Sequence, residues 1–188
     1  LLVVGLFSIM KASGSLDNIS RERALNVATD IAAMADLVMQ EELKVISQLS
    51  VNEDLIRAAG AVADRGAEGA FDEVKKANDL MGGVMNKMGS DYEDLFLAGT
   101  DGVVFADGKG RLAGLSVAER DYIRAAKEGK INIGQVILSK KTGNPVVPLC
   151  APVYSKEGKL VGEVATILNV NFLTENITNV KLGETGYP

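Results

Sequence analysis

The chain contains no histidine and only one cysteine among its 188 residues. Without histidine, a Ser-His-Asp triad or a Cys-His pair cannot form, and the usual zinc sites lose a ligand. The single cysteine, Cys150, cannot form an intrachain disulfide, so cysteine pairing says nothing about the redox compartment. There is also no phosphate-binding glycine loop and no nucleophile elbow. We therefore expect a protein that is not an enzyme and that carries no cofactor or metal.

Basic residues are also in short supply for a nucleic-acid-binding protein. Lysine and arginine number 20 against 25 aspartates and glutamates, which gives a net charge of −5, and no basic cluster interrupts this balance. Because phosphate backbones require clustered lysine and arginine, we expect no nucleic-acid partner. The 47% hydrophobic and 24% charged composition is that of an ordinary folded domain with a sizeable core.

The first ten residues, LLVVGLFSIM, are almost wholly apolar. A bilayer-spanning helix needs about 20 residues, so this stretch cannot cross a membrane alone. It is the end of a transmembrane helix, the start of a buried helix or the core of a signal peptide, although no small-residue cleavage pattern follows it. The polar stretch that follows at once, Lys11 and then SGSLDN, favours the first interpretation. We therefore predict that residues 1–12 end a membrane-spanning helix and that the protein is membrane-anchored.

A long helix is predicted over residues 13–50. No proline or glycine interrupts residues 19–49, where apolar or small residues recur every three or four positions and Glu42 is the one break. This spacing is helical and close to the 3.5-residue repeat of paired helices. It predicts a stalk that packs against a partner or a sheet, although a single long core helix would give the same pattern.

The sequence after Tyr92 is typical of strands and tight turns. Asp101-Gly102 suits a hairpin turn, and Ser116 with Glu119 forms a capping box that predicts a helix starting at about Val117. Three strands are then predicted in INIGQVILS, PVVPLCAPVY and LVGEVATILNV. The class is α+β, with a five-stranded antiparallel sheet. The long helix would cover one face, and residues 106–128 would form a lid over a ligand cavity on the other.

Four stretches resemble the extracellular Cache sensor domains of bacterial chemoreceptors and sensor kinases. They are YEDLFLAGTDGVVFAD, RDYIRAA, TGNPVVPLCAPVYSKEGKLVGEVATIL and KLGETGYP. The resemblance implies a PAS-like Cache fold over residues 51–181, in the membrane-distal module of the double Cache type. GETGY at residues 183–187 resembles the start of a further module, so residues 182–188 would begin a truncated membrane-proximal module.

The same resemblance implies a function and a location. Cache modules of this kind bind small metabolites and transmit a helix shift across the membrane in chemotaxis and other signal transduction. This chain would lie on the periplasmic or extracellular side of the inner (cell) membrane, and two copies would pair through the long helix. A structural module, or one that senses indirectly without its own small-molecule ligand, is the alternative.

The resemblance also implies a ligand site. Arg120 and Tyr122 match the arginine and the first aromatic residue of the branch that binds amino acids, and Ala126 matches its trailing alanine. Thr166 and Asn169 lie near the position of a later aspartate, and complete the predicted ligand-binding set.

Three positions depart from that branch, with Leu115, Ile123 and Ile167 standing where a tyrosine, a second aromatic residue and the aspartate belong. The group that would hold a ligand ammonium is therefore missing, while Arg120 and Tyr122 can still bind a carboxylate. We expect a carboxylate such as an organic acid, with an amino acid or another small metabolite held mainly by backbone groups as the alternative ligand. In the alternative interpretation, Arg120 pairs with a neighbouring acid and Tyr122 only packs in the core.

Overall fold

A computed structural model describes the backbone of residues 2–171 and the side chains of residues 21–171. The helices are α1 (Leu2–Ser50), α2 (Glu53–Gly69), α3 (Phe71–Met88) and α4 (Asp121–Lys127). The strands are β1 (Tyr92–Gly99), β2 (Val104–Asp107), β3 (Asn132–Ile133), β4 (Ile137–Leu138), β5 (Pro145–Tyr154) and β6 (Leu160–Asn169). The predicted GETGY module start lies outside the described residues.

The strands form one antiparallel sheet in the order β2-β1-β6-β5-β3, and β4 also pairs with β5. This confirms the predicted α+β class and its antiparallel sheet. The stretch INIGQVILS, however, was predicted as one strand and forms two short ones. Gly134 donates its N–H to the carbonyl of Pro148 at 2.8 Å, but a proline has no N–H to return. The ladder along β5 is therefore interrupted at this point, between β3 and β4.

Both faces of the central strands are buried. Residues 161–168 of β6 have no exposed member, and their side chains alternate between the two faces as in any strand. On one face, Leu95, Leu149 and Leu168 pack in a core with residues of α1, α2 and α3. On the other, Phe96 and Ile167 belong to a smaller core with residues of α4. The sheet thus separates a helix-covered face from a face covered mainly by loops.

Helix α1 reaches well beyond the sheet. Its 49 residues would span about 70 Å at 1.5 Å per residue. Its described side chains become buried only towards the C-terminal end, at Glu42, Ile46 and Leu49. Within the described residues, no helix carries an apolar stretch long enough to cross a bilayer.

A buried hydrogen bond explains the break in the apolar repeat of α1. The hydroxyl of Tyr92, the first residue of β1, donates to Oε2 of Glu42. Burial raises the pKa of Glu42, and the hydrogen bond from Tyr92 partly offsets that effect. The polar residue at this position of α1 therefore connects the long helix to the sheet through a hydrogen bond.

The predicted capping box at Ser116 and Glu119 is wrong, because residues 117–120 are not helical. Ser116 instead forms a bridge with Val103, and the N–H of Val117 donates to the carbonyl of Gly102 at 2.8 Å. These contacts with the β1–β2 turn prevent a helix from forming there. Helix α4 begins only at Asp121, with Arg120 as its N-cap residue.

Replacing Tyr92 with Phe removes the donor to Glu42 while keeping the ring. We expect the free energy of unfolding to fall by roughly 1–3 kcal/mol, because a buried carboxylate loses a hydrogen-bond donor. Urea denaturation measures this change. The matched control is Tyr154→Phe, at a tyrosine that is 40% exposed, where we expect a change within about 0.5 kcal/mol. Equal effects at the two tyrosines would contradict the role given to this bond.

Candidate functional site

A cavity of about 50 Å³ lies on the loop-covered face of the sheet. Its apolar wall comes from the sheet, from residues 112–117 and from β4. Its polar wall comes from the start of β1, from the N-terminal end of α4 and from the loop between β4 and β5. The lining residues are Glu93, Asp94, Phe96, Leu112, Leu115, Val117, Arg120, Tyr122, Ile137, Ser139, Lys140, Lys141, Val146 and Ile167.

Arg120 lines the cavity, and its guanidinium has no hydrogen bond to any described residue. Its side chain is 21% exposed, and its only ion pair is a 4.0 Å contact between Nε and Oε1 of Glu119. Glu119 is bonded more closely to Lys140, and Asp121 is bonded to Arg124. The two acids that could have paired with Arg120 are therefore engaged elsewhere, which leaves the guanidinium N–H groups available.

Tyr122 both packs in the core and lines the cavity. It is 4% exposed, and its ring lies so close to Gly134 that a Cβ there would come within 3.2 Å of Cδ1. No described residue forms a hydrogen bond with its hydroxyl. Burial raises the pKa of Tyr122 far above neutral pH, so the hydroxyl retains its proton and can donate to a ligand.

The loop between β4 and β5, residues 139–144, covers one side of the cavity and is held by polar contacts. The two carboxylate oxygens of Glu93 accept hydrogen bonds from the hydroxyls of Ser139 and Thr142, the second at 2.8 Å. On the opposite side, the amine of Lys140 bonds to Glu119 and to the carbonyl of Ser116, the latter at 3.1 Å. The loop therefore joins the start of β1 to the segment that precedes α4.

The loop has a second lysine in the cavity wall, Lys141. Its amine has no hydrogen-bond partner within residues 21–171. Nothing in the sequence indicates that this hairpin belongs to the site, because Lys140 and Lys141 occur in a pattern typical of an ordinary turn. The signal that could have found it is the hydroxyl pair Ser139 and Thr142 facing Glu93, but these contacts join residues more than 40 positions apart.

Both carboxylates in the cavity wall already have partners. Glu93 is bonded to the loop between β4 and β5. The second acid, Asp94, is 2% exposed and accepts from the N–H of Leu95 at 2.9 Å and from Nε of Arg111 at 3.3 Å. Burial raises the pKa of Asp94, and these bonds partly offset that effect. Asp94 is also the cross-strand partner of Ile167, so a carboxylate lies beside the position where the related branch has its aspartate.

A third acid, Asp107, shapes the loop that carries Arg111. It is buried, and its carboxylate accepts from the backbone N–H groups of Lys109, Arg111 and Leu112 at 2.9–3.0 Å. This fixes the turn after β2, so that Leu112 reaches the cavity and Arg111 reaches Asp94. Asp107 does not line the cavity itself, and it acts by positioning its neighbours.

The structure brings together Arg120 and Tyr122, the first two of the five predicted site residues, and leaves the others outside the cavity lining. Ala126 is fully buried in the small core beneath α4. By strand alternation, Thr166 lies on the helix-covered face, where its buried hydroxyl has no partner among the described residues. Asn169 ends β6 and accepts from the N–H of Asn171 at 3.3 Å.

Comparison with known proteins places this chain in a family. Residues 11–187 match a family model described as a Cache domain. No protein among the curated sequences matches the chain.

Several solved structures share the fold at low sequence identity. The sensor domain of the histidine kinase DctB of V. cholerae is 14% identical, with a TM-score of 0.71, covering 84% of this chain and 59% of that one. The DcuS sensor domain of E. coli is 14% identical, with a TM-score of 0.59, covering 78% of this chain and 99% of that one. The amino acid chemoreceptor PctB of Pseudomonas aeruginosa, solved with L-Arg, is 16% identical, with a TM-score of 0.56, covering 82% and 59%.

Replacing Glu93 with Ala removes both hydroxyl contacts that hold residues 139–144 over the cavity. Losing hydrogen bonds worth about 1.5 kcal/mol in total should raise amide exchange in this loop roughly tenfold. The backbone N–H groups of Ser139 and Gly143, which bond within the loop, report the change by NMR. Glu157→Ala, at an exposed glutamate of the β5–β6 turn, is the control. Unchanged exchange in Glu93→Ala would show that the loop does not depend on this residue.

Proposed function

This chain belongs to the Cache domain family, and from that premise we propose that it is the ligand-binding sensor part of a transmembrane chemotaxis or signal-transduction receptor. Its ligand is a small carboxylate held by Arg120 and Tyr122. The proposal assigns the domain no catalytic step. Its support comes from the polar groups of the cavity and from the contacts that join the cavity to α1.

The observation that carries the proposal is the imbalance between donors and acceptors in the cavity wall. Within the described residues, the guanidinium of Arg120, the amine of Lys141 and the hydroxyl of Tyr122 have no hydrogen-bond partner, and all three groups can donate. The acceptors Glu93 and Asp94 are each bonded already. A guanidinium can place parallel N–H donors on the two oxygens of a carboxylate. An anion therefore complements this wall better than an ammonium group does.

The size of the cavity favours a small ligand. Its volume of about 50 Å³ compares with roughly 10–15 Å³ needed to hold one water molecule by the same measure. A few waters, or a short carboxylate of a few non-hydrogen atoms, fill such a space. Phe96, Leu112 and Ile167 offer apolar surface to its carbon atoms. A larger ligand would require residues 139–144 to move.

The start of β1 offers a route from the cavity to α1. Glu93 and Asp94 line the cavity, and the residue before them, Tyr92, bonds to Glu42 of α1. A ligand that prefers one position of β1 would thereby favour one position of the long helix. Only a difference in affinity between two states can shift their populations, and a coupling of about 1–3 kcal/mol is typical.

We further propose that two copies pair through α1 on the outer side of the inner (cell) membrane, with this chain as the membrane-distal module of a double Cache receptor. A stripe of partly exposed apolar side chains supports the pairing. It recurs every three or four residues on α1, at Val27, Ile31, Met34 and Val38. That spacing is the one by which paired helices pack. The chain spans 59% of the DctB sensor chain, which leaves room for a further module.

A thermal-shift screen of short carboxylates, with amines and amino acids alongside, tests the ligand. A ligand at 100 times its Kd should stabilise the chain by about 2.7 kcal/mol, which corresponds to a rise in Tm of roughly 5–10 °C. Arg120→Ala should weaken that binding roughly 10- to 100-fold, because charged hydrogen bonds are lost. Arg124→Ala is the matched control, since Arg124 lies on the same helix with its side chain 62% exposed.

Equal binding by Arg120→Ala and the wild type would contradict the role of Arg120. If no compound stabilises the wild type, the direct-ligand proposal fails, and a structural or indirect-sensing module becomes the better explanation.

The proposed pairing is tested by sedimentation velocity over a range of concentrations. Ile31→Asp puts a charge into the apolar stripe and should shift dimers towards monomers. Ala33→Asp puts the same charge two residues away, on the opposite side of α1, where the side chain is exposed, and should change little. A wild type that stays monomeric at every concentration, or equal dissociation by both variants, would contradict pairing along this stripe.

A further inference from the structure

A second polar group on the loop-covered face has no role in the cavity. Glu163 of β6 is fully buried, and neither of its carboxylate oxygens has a hydrogen-bond partner within the described residues. Its cross-strand neighbours are Ala98 of β1 and Pro152 of β5, and neither offers a side-chain donor. A carboxylate buried in this way is costly in its charged form.

The surroundings of Glu163 contain few compensating charges. By strand alternation it lies on the same face of β6 as Ala165 and Ile167, the face on which α4 packs. Lys127, at the C-terminal end of α4, favours its charged form, and Asp101 of the β1–β2 turn disfavours it. From β5, the titratable group nearby is the buried thiol of Cys150. No ion pair forms between Glu163 and Lys127 among the described residues.

We propose that Glu163 is a proton-binding site inside the domain, and that its ionisation loosens the C-terminal end of α4 from the sheet. In this proposal the carboxyl group is neutral in the arrangement described, because neither of its oxygens has a hydrogen-bond donor among the described residues. Losing the proton creates a buried charge that needs a donor, and either Lys127 or water must move in to supply one. Both changes displace the end of α4 that lies over β6.

The consequence reaches the cavity because α4 is short. Its seven residues carry Lys127 at one end and Tyr122 at the other, and Arg120 is the residue that precedes the helix. A shift of its C-terminal end therefore also changes how Arg120 and Tyr122 face a ligand. The proton site itself does not depend on any ligand, whereas its effect on ligand binding rests on the function proposed above.

The direction of the pH effect follows from the two states. Burial raises the pKa of Glu163 from 4.5 to about 7 in the folded chain. Between these values the folded chain holds a proton that the unfolded chain has released, so stability falls as pH rises through this window. Above about pH 7 both states are ionised and this dependence ends.

The test uses the whole chain without ligand, so a failure of the proposed carboxylate site cannot affect it. Glu163→Gln keeps the shape of the side chain and removes the titration, while Glu68→Gln makes the same change at an exposed position of α2. Unfolding is measured from pH 5 to 8. The unfolding constant of the wild type, relative to that of Glu163→Gln, should rise with pH by up to about tenfold per pH unit and then level off. Relative to Glu68→Gln it should stay flat.

Amide hydrogen exchange tests the coupling to α4, because a glutamate that is buried but not coupled to this helix would change exchange in α4 with pH no more than exchange in α2. After correction for intrinsic rates, raising the pH from 6 to 8 should speed exchange at residues 123–130 of the wild type by more than the loss of overall stability speeds it in α2. Neither segment should change in Glu163→Gln. Lys127→Gln provides a second route if Glu163→Gln does not fold, since losing this cation should move the transition to higher pH.

A flat ratio between the wild type and Glu163→Gln would overturn the proton site. Equal pH responses of α4 and α2 would overturn its coupling to α4.

Discussion

The structure depends on a sheet whose central strands are buried on both faces by unequal covers. Three helices fill one face with apolar side chains, and α1 joins it through Glu42 and Tyr92. The residues that the structure describes cover the other face with a seven-residue helix and loops. Such a cover cannot fill the space over the sheet with regular packing, and the cavity lies where it falls short. The same asymmetry places the cavity on one side of β1 and the long helix on the other, which is the arrangement that the proposed sensor function uses.

Hydrogen-bond satisfaction decides what each region of this face can do. In the cavity the two acids are bonded, while the side chains of Arg120 and Lys141 have no hydrogen-bond partner among the described residues, which is the arrangement an anionic ligand completes. Beneath α4 the situation is reversed, because Glu163 is an acid with no donor in the described part of the chain. One short helix therefore lies between the proposed anion site and the proposed proton site. Its position is the variable that connects the two.

Sequence patterns predicted the parts of the fold that depend on local chemistry. The long helix and the α+β class followed from periodicity, and the family resemblance supplied Arg120 and Tyr122. Predictions failed where distant contacts override local preference. Ser116 and Glu119 form a good capping box, yet Ser116 bridges to Val103 instead. Residues 139–144 belong to the cavity wall because of contacts with Glu93 that form only in the folded chain. The face of the sheet on which Thr166 lies depends on strand register.

The most direct measurement is a calorimetric titration that compares a short carboxylate with its uncharged amide of nearly the same shape, propionate against propionamide for example. If the cavity recognises charge through Arg120, the carboxylate binds and the amide binds at least roughly tenfold more weakly, since hydrogen bonds to a charged group are worth about 1.5–3 kcal/mol. Equal binding of the two compounds, or a preference for the amide, would show that the cavity does not select anions and would contradict the function proposed for this domain.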